Sequence, residues 1–262
     1  MPEGDTVFLA ATRLDAALAG QTLTRTDFRV PRIATVDLAG RTVDHVVSHG
    51  KHLLFRIAGG VTLHTHFKMN GSWHLYRPGE RWKGPEWQVR ALLETSPWIA
   101  VGFRLAAVDL LHTAREHAVL GHLGPDPLSP AWDANEALRR LTADPERAIG
   151  DTLLDQHVMA GPGNVWKSEI CFLRGVDPWT PVGRLARPER LVALVKELFE
   201  ANRTIGGQIT TGDLRPGRTQ WVYGRAGRPC RRCGTPIRRR DADRSEDIRD
   251  RVTYWCPACQ PV

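Results

Sequence analysis

Four cysteines in two pairs constrain this chain more than any other feature. Two residues separate Cys230 from Cys233, two separate Cys256 from Cys259, and 22 lie between the pairs. Each pair can approach one metal ion from a tight turn, so together they predict tetrahedral coordination by four thiolates: a C-terminal zinc finger holding one Zn2+. Four thiolates leave no open position for water, which makes the metal structural and puts any chemistry elsewhere. The competing readings are two disulfides or a redox pair. They suit an exported chain, and the start Met1-Pro-Glu-Gly4 has no basic stretch leading into an apolar one, so the expected compartment is the cytoplasm. Cys171 stands alone in an apolar helical pattern and reads as core.

The finger also concentrates the charge. The chain of 262 residues is formally +7, and from Arg215 onward there are twelve arginines, no lysine and five acidic residues, so this tail carries the whole surplus. Arginine presents a planar fork that binds phosphate in two places at once, and a segregated basic tail favours contact with a polyanion. A solvated arginine-rich surface is the plainer alternative. No apolar run approaches the twenty residues of a membrane span, which leaves nucleic acid as the expected partner.

Upstream, the hydrophobic period changes once. After a helical stretch at Thr6 to Leu18, period-two segments recur at Thr42–Val47, His52–Ile57, Val61–Phe67, Trp73–Tyr76, Val89–Glu94 and Trp98–Leu105, divided by Gly, Pro and Asn turns. Short strands without intervening helices predict an antiparallel β-sandwich or barrel over residues 1–125. Residues 126–222 then turn helical, with helices expected at Asp133–Leu141, Pro145–Gln156, Asn164–Leu173 and Pro188–Ala201. A loose basic connection, Gly212 to Gly227, leads into the finger at 223–262. The fold class is thus α+β with three parts.

Three local features carry possible chemistry. Pro2 permits removal of Met1, which would expose a secondary amine; an α-amino group titrates near ~8, so it can attack an aldehyde carbon near neutral pH. Glu3 places a carboxyl beside it for proton transfer. Gly161-Pro-Gly-Asn164 is a glycine turn opening a helix, whose free amides and dipole suit a phosphate, though it could be a plain cap. Lys51 sits between a glycine turn and an apolar strand, where a solvated strand-edge lysine is the common case. His64 and His66 alternate along a strand and read as ordinary strand residues.

In order and content these segments resemble the formamidopyrimidine-DNA glycosylase / endonuclease VIII family. The likeness runs through Met1-Pro-Glu-Gly4, His49-Gly-Lys-His-Leu-Leu54, His66-Phe-Lys-Met-Asn-Gly71, Leu123-Gly-Pro-Asp-Pro-Leu128, Leu154-Asp-Gln156, Gly161-x-Gly-Asn164 and the finger from Arg251 to Gln260. The resemblance implies a β-sandwich, a helix-two-turn-helix domain and a zinc finger, with DNA in the cleft between the halves. It implies that Pro2 attacks C1′ of the damaged nucleotide and that Glu3 donates the proton in ring opening and base loss. Lys51 then contacts phosphate and assists β-elimination, Arg251 on the finger assists δ-elimination, and Asn164 binds phosphate. A nucleotide must leave the stack for this chemistry, and Met69 between Lys68 and Asn70 is the natural wedge.

The endonuclease VIII branch fits better than the 8-oxoguanine branch, because Gly102-Phe-Arg-Leu stands where the latter has an Arg-Arg-Phe motif. The expected function is a bifunctional DNA glycosylase/AP lyase of base excision repair acting on oxidised pyrimidines, as a monomer on damaged duplex or single-stranded DNA. Asp5-Thr6 replaces the family Pro-Glu, and adjacent helical side chains point roughly 100° apart, so Asp5 does not simply stand in for the missing acid. That motivates one alternative, mainly an abasic-site lyase with weak base excision. A second, a non-catalytic zinc-dependent DNA-binding protein, has no need of Pro2, Glu3, Lys51 and Arg251 together. Lys68 and His122 replace a glutamine and an arginine of the branch pattern, and both can still donate to DNA.

Overall fold

The computed structural model describes residues 2–241 and 252–261. The chain forms two compact units, Met1–His122 and Leu123–Val262.

The first unit is a sandwich of two four-stranded antiparallel sheets. Helix α1 (Gly4–Leu18) precedes β1 (Leu23–Phe28), β2 (Val43–His49), β3 (His52–Ile57), β4 (Val61–His66), β5 (Ser72–Tyr76), β6 (Val89–Thr95), β7 (Ile99–Phe103), β8 (Ala107–His112) and the one-turn α2 (His117–Leu120). The sheet orders are β1-β6-β7-β5 and β2-β3-β4-β8. Every second residue of β3 and β4, including Leu53, Phe55, Ile57 and Leu63, enters one core with Val7, Ala11, Leu14 and Leu18 of α1. The sheets are tied where Trp73 of β5 packs on Phe55 of β3, ring centroids 4.8 Å apart, and donates its indole N–H to Thr65 Oγ1 at 3.1 Å. A buried indole needs such an acceptor, because an unmet donor costs roughly 1–3 kcal/mol. Asp15 accepts from the Val46 amide at 2.6 Å beside the register shift at Val43/His45, so the helix holds β2 at its bulge.

The second unit contains α3 (Ala134–Leu141), α4 (Ile149–Leu154), α5 (Asn164–Arg174) and α6 (Pro188–Asn202), followed by a hairpin of β9 (Arg238–Arg240) and β10 (Thr253–Trp255). Asp133 caps α3 by accepting from the amides of Asn135 and Glu136. Helix α4 is shorter than the expected Pro145–Gln156. Ala148 is extended and bridges Pro181, while the Val182 amide donates to Arg147 at 2.9 Å, so residues 145–148 pair with a distant segment before the helix can start. Helix α5 ends at Gly175 in the left-handed region (φ 65°), with the Val176 amide returning to the Cys171 carbonyl at 2.9 Å.

The connection into the finger is pinned rather than loose. Glu169 on α5 is 0% exposed and accepts from the amides of Trp221, Val222 and Tyr223, each at 2.8 Å, and from the Thr210 hydroxyl. Three backbone donors and a hydroxyl compensate the loss of water around a buried carboxylate. Below it, Phe172, Val222, Cys230, Ile237 and Cys256 form a small apolar cluster.

Candidate functional site

In the first unit, the candidate residues sit at four places on the scaffold. Glu3 is the N-cap of α1, its carbonyl accepting the first helical bond from Val7 at 3.0 Å, and it is 1% exposed; Pro2 just before it is half-buried. The carboxyl of Glu3 is therefore held at a helix head, where the dipole favours a negative charge. Asp5, one residue into the helix, is fully buried as well.

Lys51 is set by a two-residue turn. His49 and His52 close the β2–β3 hairpin as paired residues, and Gly50 takes φ 54°, a left-handed geometry that a side chain resists. The strands on either side are fixed by the core, so the lysine is presented at a rigid tip.

The third place is the turn between β4 and β5. Lys68 adopts φ 49°, and the Gly71 amide donates back to the Phe67 carbonyl at 2.9 Å. A Cβ at position 71 would come within 2.7 Å of that carbonyl oxygen, which explains the glycine. Phe67 is buried, and the turn it anchors pushes Met69 outward at 59% exposure between exposed Lys68 and Asn70. A large apolar side chain displayed on a tight turn can enter an apolar gap. His122, also exposed, ends the first unit.

The strand histidines are less ordinary than their alternation suggests. The register pairs His52 with His66 and His64 with Asp109, which brings three imidazoles and a carboxylate onto one face of the β3-β4-β8 sheet. His52 Nδ1 lies 2.8 Å from His64 Nε2, and the His66 ring meets His52 edge-on with centroids 5.0 Å apart. Burial, reinforced by the neighbouring imidazoles, pushes His52 down to about 3. Burial, with Lys68 and Lys51 nearby, pushes His66 down to about 4. Both rings are therefore neutral at physiological pH. The alternation of His64 and His66 was visible in the sequence; the contact with His52 depends on strand register.

In the second unit, the turn between α4 and α5 is built around one side chain. Gln156 donates to the carbonyls of Leu154 and Pro162, each at 2.9 Å, and accepts from the Gly161 amide at 3.0 Å. This staple aims the start of α5. Asn164, the first residue of that helix, is 2% exposed and donates to the Val252 carbonyl at 2.7 Å, while its Oδ1 has no partner among the described residues. Lys167, one turn on, donates to Thr253 Oγ1 at 2.7 Å. The head of α5 is thus joined to the finger at Val252 and Thr253. Arg251 itself lies outside the described residues.

The four cysteine sulfurs lie within 4.8 Å of one another, with Cys230 to Cys259 at 3.9 Å and Cys233 to Cys256 at 3.5 Å. Disulfide sulfurs sit about 2 Å apart, whereas four thiolates placed about 2.3 Å from a tetrahedral ion are spaced roughly 3.8 Å. The geometry matches a metal site. Among the described residues no other group of His, Cys, Asp or Glu is gathered closely enough to hold an ion. Cys171 is fully buried in α5, its thiol pushed up to about 12 by burial.

These two scaffolds, a sandwich headed by a buried carboxyl and a stapled helix pair joined to a four-cysteine hairpin, define a protein of the formamidopyrimidine-DNA glycosylase family, to which the chain belongs. Its N-terminal domain matches over residues 1–115 and its H2TH domain over residues 123–211. The chain is 57% identical to a protein of Streptomyces coelicolor named probable endonuclease 8 2, over 99% of this chain and 94% of that one. It is 49% identical to a Mycolicibacterium smegmatis protein named DNA-(apurinic or apyrimidinic site) lyase Nei2, over 99% of both. The same fold occurs in Lactococcus lactis Fpg, solved with DNA containing an abasic site, at TM-score 0.82 and 22% identity over the full length of both chains.

Proposed function

We propose that the chain is a DNA glycosylase and AP lyase of base excision repair, acting on oxidised pyrimidines in damaged DNA. The observation that carries this reading is likeness along the whole length to relatives named endonuclease 8 and AP lyase. Placement of Glu3 at the head of α1, of Lys51 on a rigid hairpin and of Met69 on an exposed turn supports it.

With Met1 removed, the Pro2 amine attacks C1′ of the lesion nucleotide. The C1′–N bond breaks and the base leaves with a proton; Pro2 gives up its N–H proton, Glu3 protonates O4′ as the C1′–O4′ bond opens, and an iminium links Pro2 to the ring-opened sugar. Loss of a C2′ proton then expels the 3′ phosphate, and a second elimination expels the 5′ phosphate, leaving a one-nucleotide gap. Lys51, Asn164 and Arg251 hold the phosphates whose charge these steps expose, and Met69 fills the vacated stack. Lys68 and His122 add further donors to the DNA.

The four thiolates hold one zinc ion that fixes the hairpin and performs no chemistry. The protein works as a cytoplasmic monomer in three functional regions, 1–125, 126–222 and 223–262. Among the described residues no helix is long and apolar enough to cross a membrane.

Borohydride should trap a covalent adduct with duplexes containing either an abasic site or thymine glycol, and Pro2→Gly should reduce base excision at least tenfold. Failure to form an adduct with correctly processed protein overturns the proposal. A second reading, a lyase with weak base excision, draws on Asp5-Thr6 and on the name of the second relative. Adduct formation from the abasic duplex alone would establish it.

A further inference from the structure

One cluster of titratable groups, with His64 buried and His52, His66 and Asp109 half-buried around it, has no part in the mechanism above. His52, His64, His66 and Asp109 share one face of the sheet, and the opposite face is committed to the apolar core through Leu53, Phe55 and Leu63. His64 lies at the centre. It is 5% exposed, its Nε2 meets His52 Nδ1 at 2.8 Å, and its Nδ1 faces Asp109 Oδ2 at 3.9 Å, beyond hydrogen-bond reach. A leucine would fill this space without burying an incompletely satisfied ring, so packing alone does not account for the residue.

The hydrogen positions follow from the partners. The Lys68 amide can only donate, so His66 Nδ1, 2.9 Å away, carries a lone pair, and the neutral ring must hold its proton on Nε2. The Asp109 carboxylate attracts the proton of His64 to Nδ1. His64 Nε2 is then an acceptor, His52 donates its Nδ1–H, and His52 Nε2 is left with a lone pair. The cluster therefore has a self-consistent set of tautomers whose direction is set by the 3.9 Å approach of Asp109 to His64, running from there to the strand beside Lys51. Across the His52–His66 edge contact it meets the turn that displays Met69. Other charged or titratable groups that bear on it are His49 from β2, Lys51 and Lys68 from the two turns, His122, and Arg32, which pairs with Asp109 at 3.6 Å.

We propose that Asp109, His64 and His52 form a positioning relay. It fixes the tautomers of the imidazole array beneath the Lys51 and Phe67–Gly71 turns, so that both turns meet DNA in one preset geometry with neutral rings behind them. His64 and Asp109 are positioning residues, not catalytic ones: they act through His52 and His66. The idea rests on the repair function proposed above for its consequence, but not for its first measurement.

The test is a pair of substitutions in the full-length, metal-loaded protein. His64→Leu fills the space and removes the acceptor, whereas His64→Gln retains a carbonyl that His52 can donate to. In DNA-free protein, the ¹⁵N signals of the imidazoles should report the Nδ1–H form of His52 in wild type and His64→Gln, and the Nε2–H form in His64→Leu. With abasic-site DNA, His64→Leu should raise KM about tenfold with kcat within about twofold, as expected for loss of one oriented bond, and His64→Gln should recover most of it. An unchanged His52 tautomer in His64→Leu overturns the relay, as does a tautomer change with no change in KM. If wild type leaves abasic DNA intact, the proposed function fails, and the tautomer measurement decides the relay by itself. Retained backbone amide shifts for Leu53 and Leu63 confirm that each variant is folded.

Discussion

The two units solve the problem of presenting polar residues in opposite ways. In the sandwich, Lys51 and Met69 ride on turns whose geometry is dictated by paired strands and by a core of large aliphatic and aromatic side chains. In the finger, three-residue strands and a cluster of five buried side chains supply little burial, and position rests on four clustered cysteines and on buried polar pegs such as Glu169 and Lys167. A small module with so little apolar area needs a metal or an equivalent staple. Rigidity in the first unit is therefore spread over many weak contacts, and in the second it depends on a few strong ones.

The sharpest way to break the comparison is to remove the metal. Chelation of the metal, or Cys256→Ser, should abolish hydrogen-exchange protection of β9 and β10 and cut DNA cleavage at least a hundredfold, since structural zinc contributes on the order of 10 kcal/mol to such modules. Amides of β3 and β4 should keep their protection within a few-fold. Equal loss in both units would show that the sandwich also depends on the metal.

A smaller effect is expected from Glu169→Ala. Four donors lose their acceptor, three of them backbone amides, and a cost of about 3–5 kcal/mol follows for leaving such groups buried and unmet. Chemical denaturation should register this loss, and exchange should accelerate first at residues 221–223. A loss below about 1 kcal/mol would mean that the linker finds water or other acceptors.

Acid should distinguish the units gradually, its effect building over several pH units. The unfolded chain binds protons at His52 and His66 near 6.5, whereas the folded rings take them up only at about 3 and about 4. Between those limits the unfolded state holds more protons, so stability falls as pH falls, by up to about 1.4 kcal/mol per pH unit for each histidine. Denaturation followed by tryptophan emission from pH 7 to pH 4.5 should show that slope. His52→Gln should flatten it, and an unchanged slope would remove the buried imidazoles from the explanation.

Legibility in the sequence divides along the same line. His52–Ile57 could be delimited because Leu53, Phe55 and Ile57 fall at every second position, and the metal site could be read because thiolate pairs need fixed spacing. Strand β1 was missed: Leu-Thr-Arg-Thr-Asp-Phe buries only its two ends, so its pattern is mostly polar. Strand β8 was missed too, for it lies at a sheet edge and its apolar residues do not alternate cleanly. In α5, Lys167, Ser168 and Glu169 look like a solvent face but are all buried, because the linker and finger close over them. Pro2, Glu3, Lys51 and Asn164 were singled out as candidates with the help of motif likeness. The His52–His64 contact was not, since it arises only when strands are set in register.

The Glu169 peg has a consequence for the order in which the molecule can be completed. Its donors arrive 41 to 54 residues after it in the chain. During synthesis α5 emerges with a charged side chain on the face destined for the interior, and water must keep it company until residues 210–223 have been made. The second unit therefore cannot reach its final packing helix by helix. It is completed only after the linker has been made.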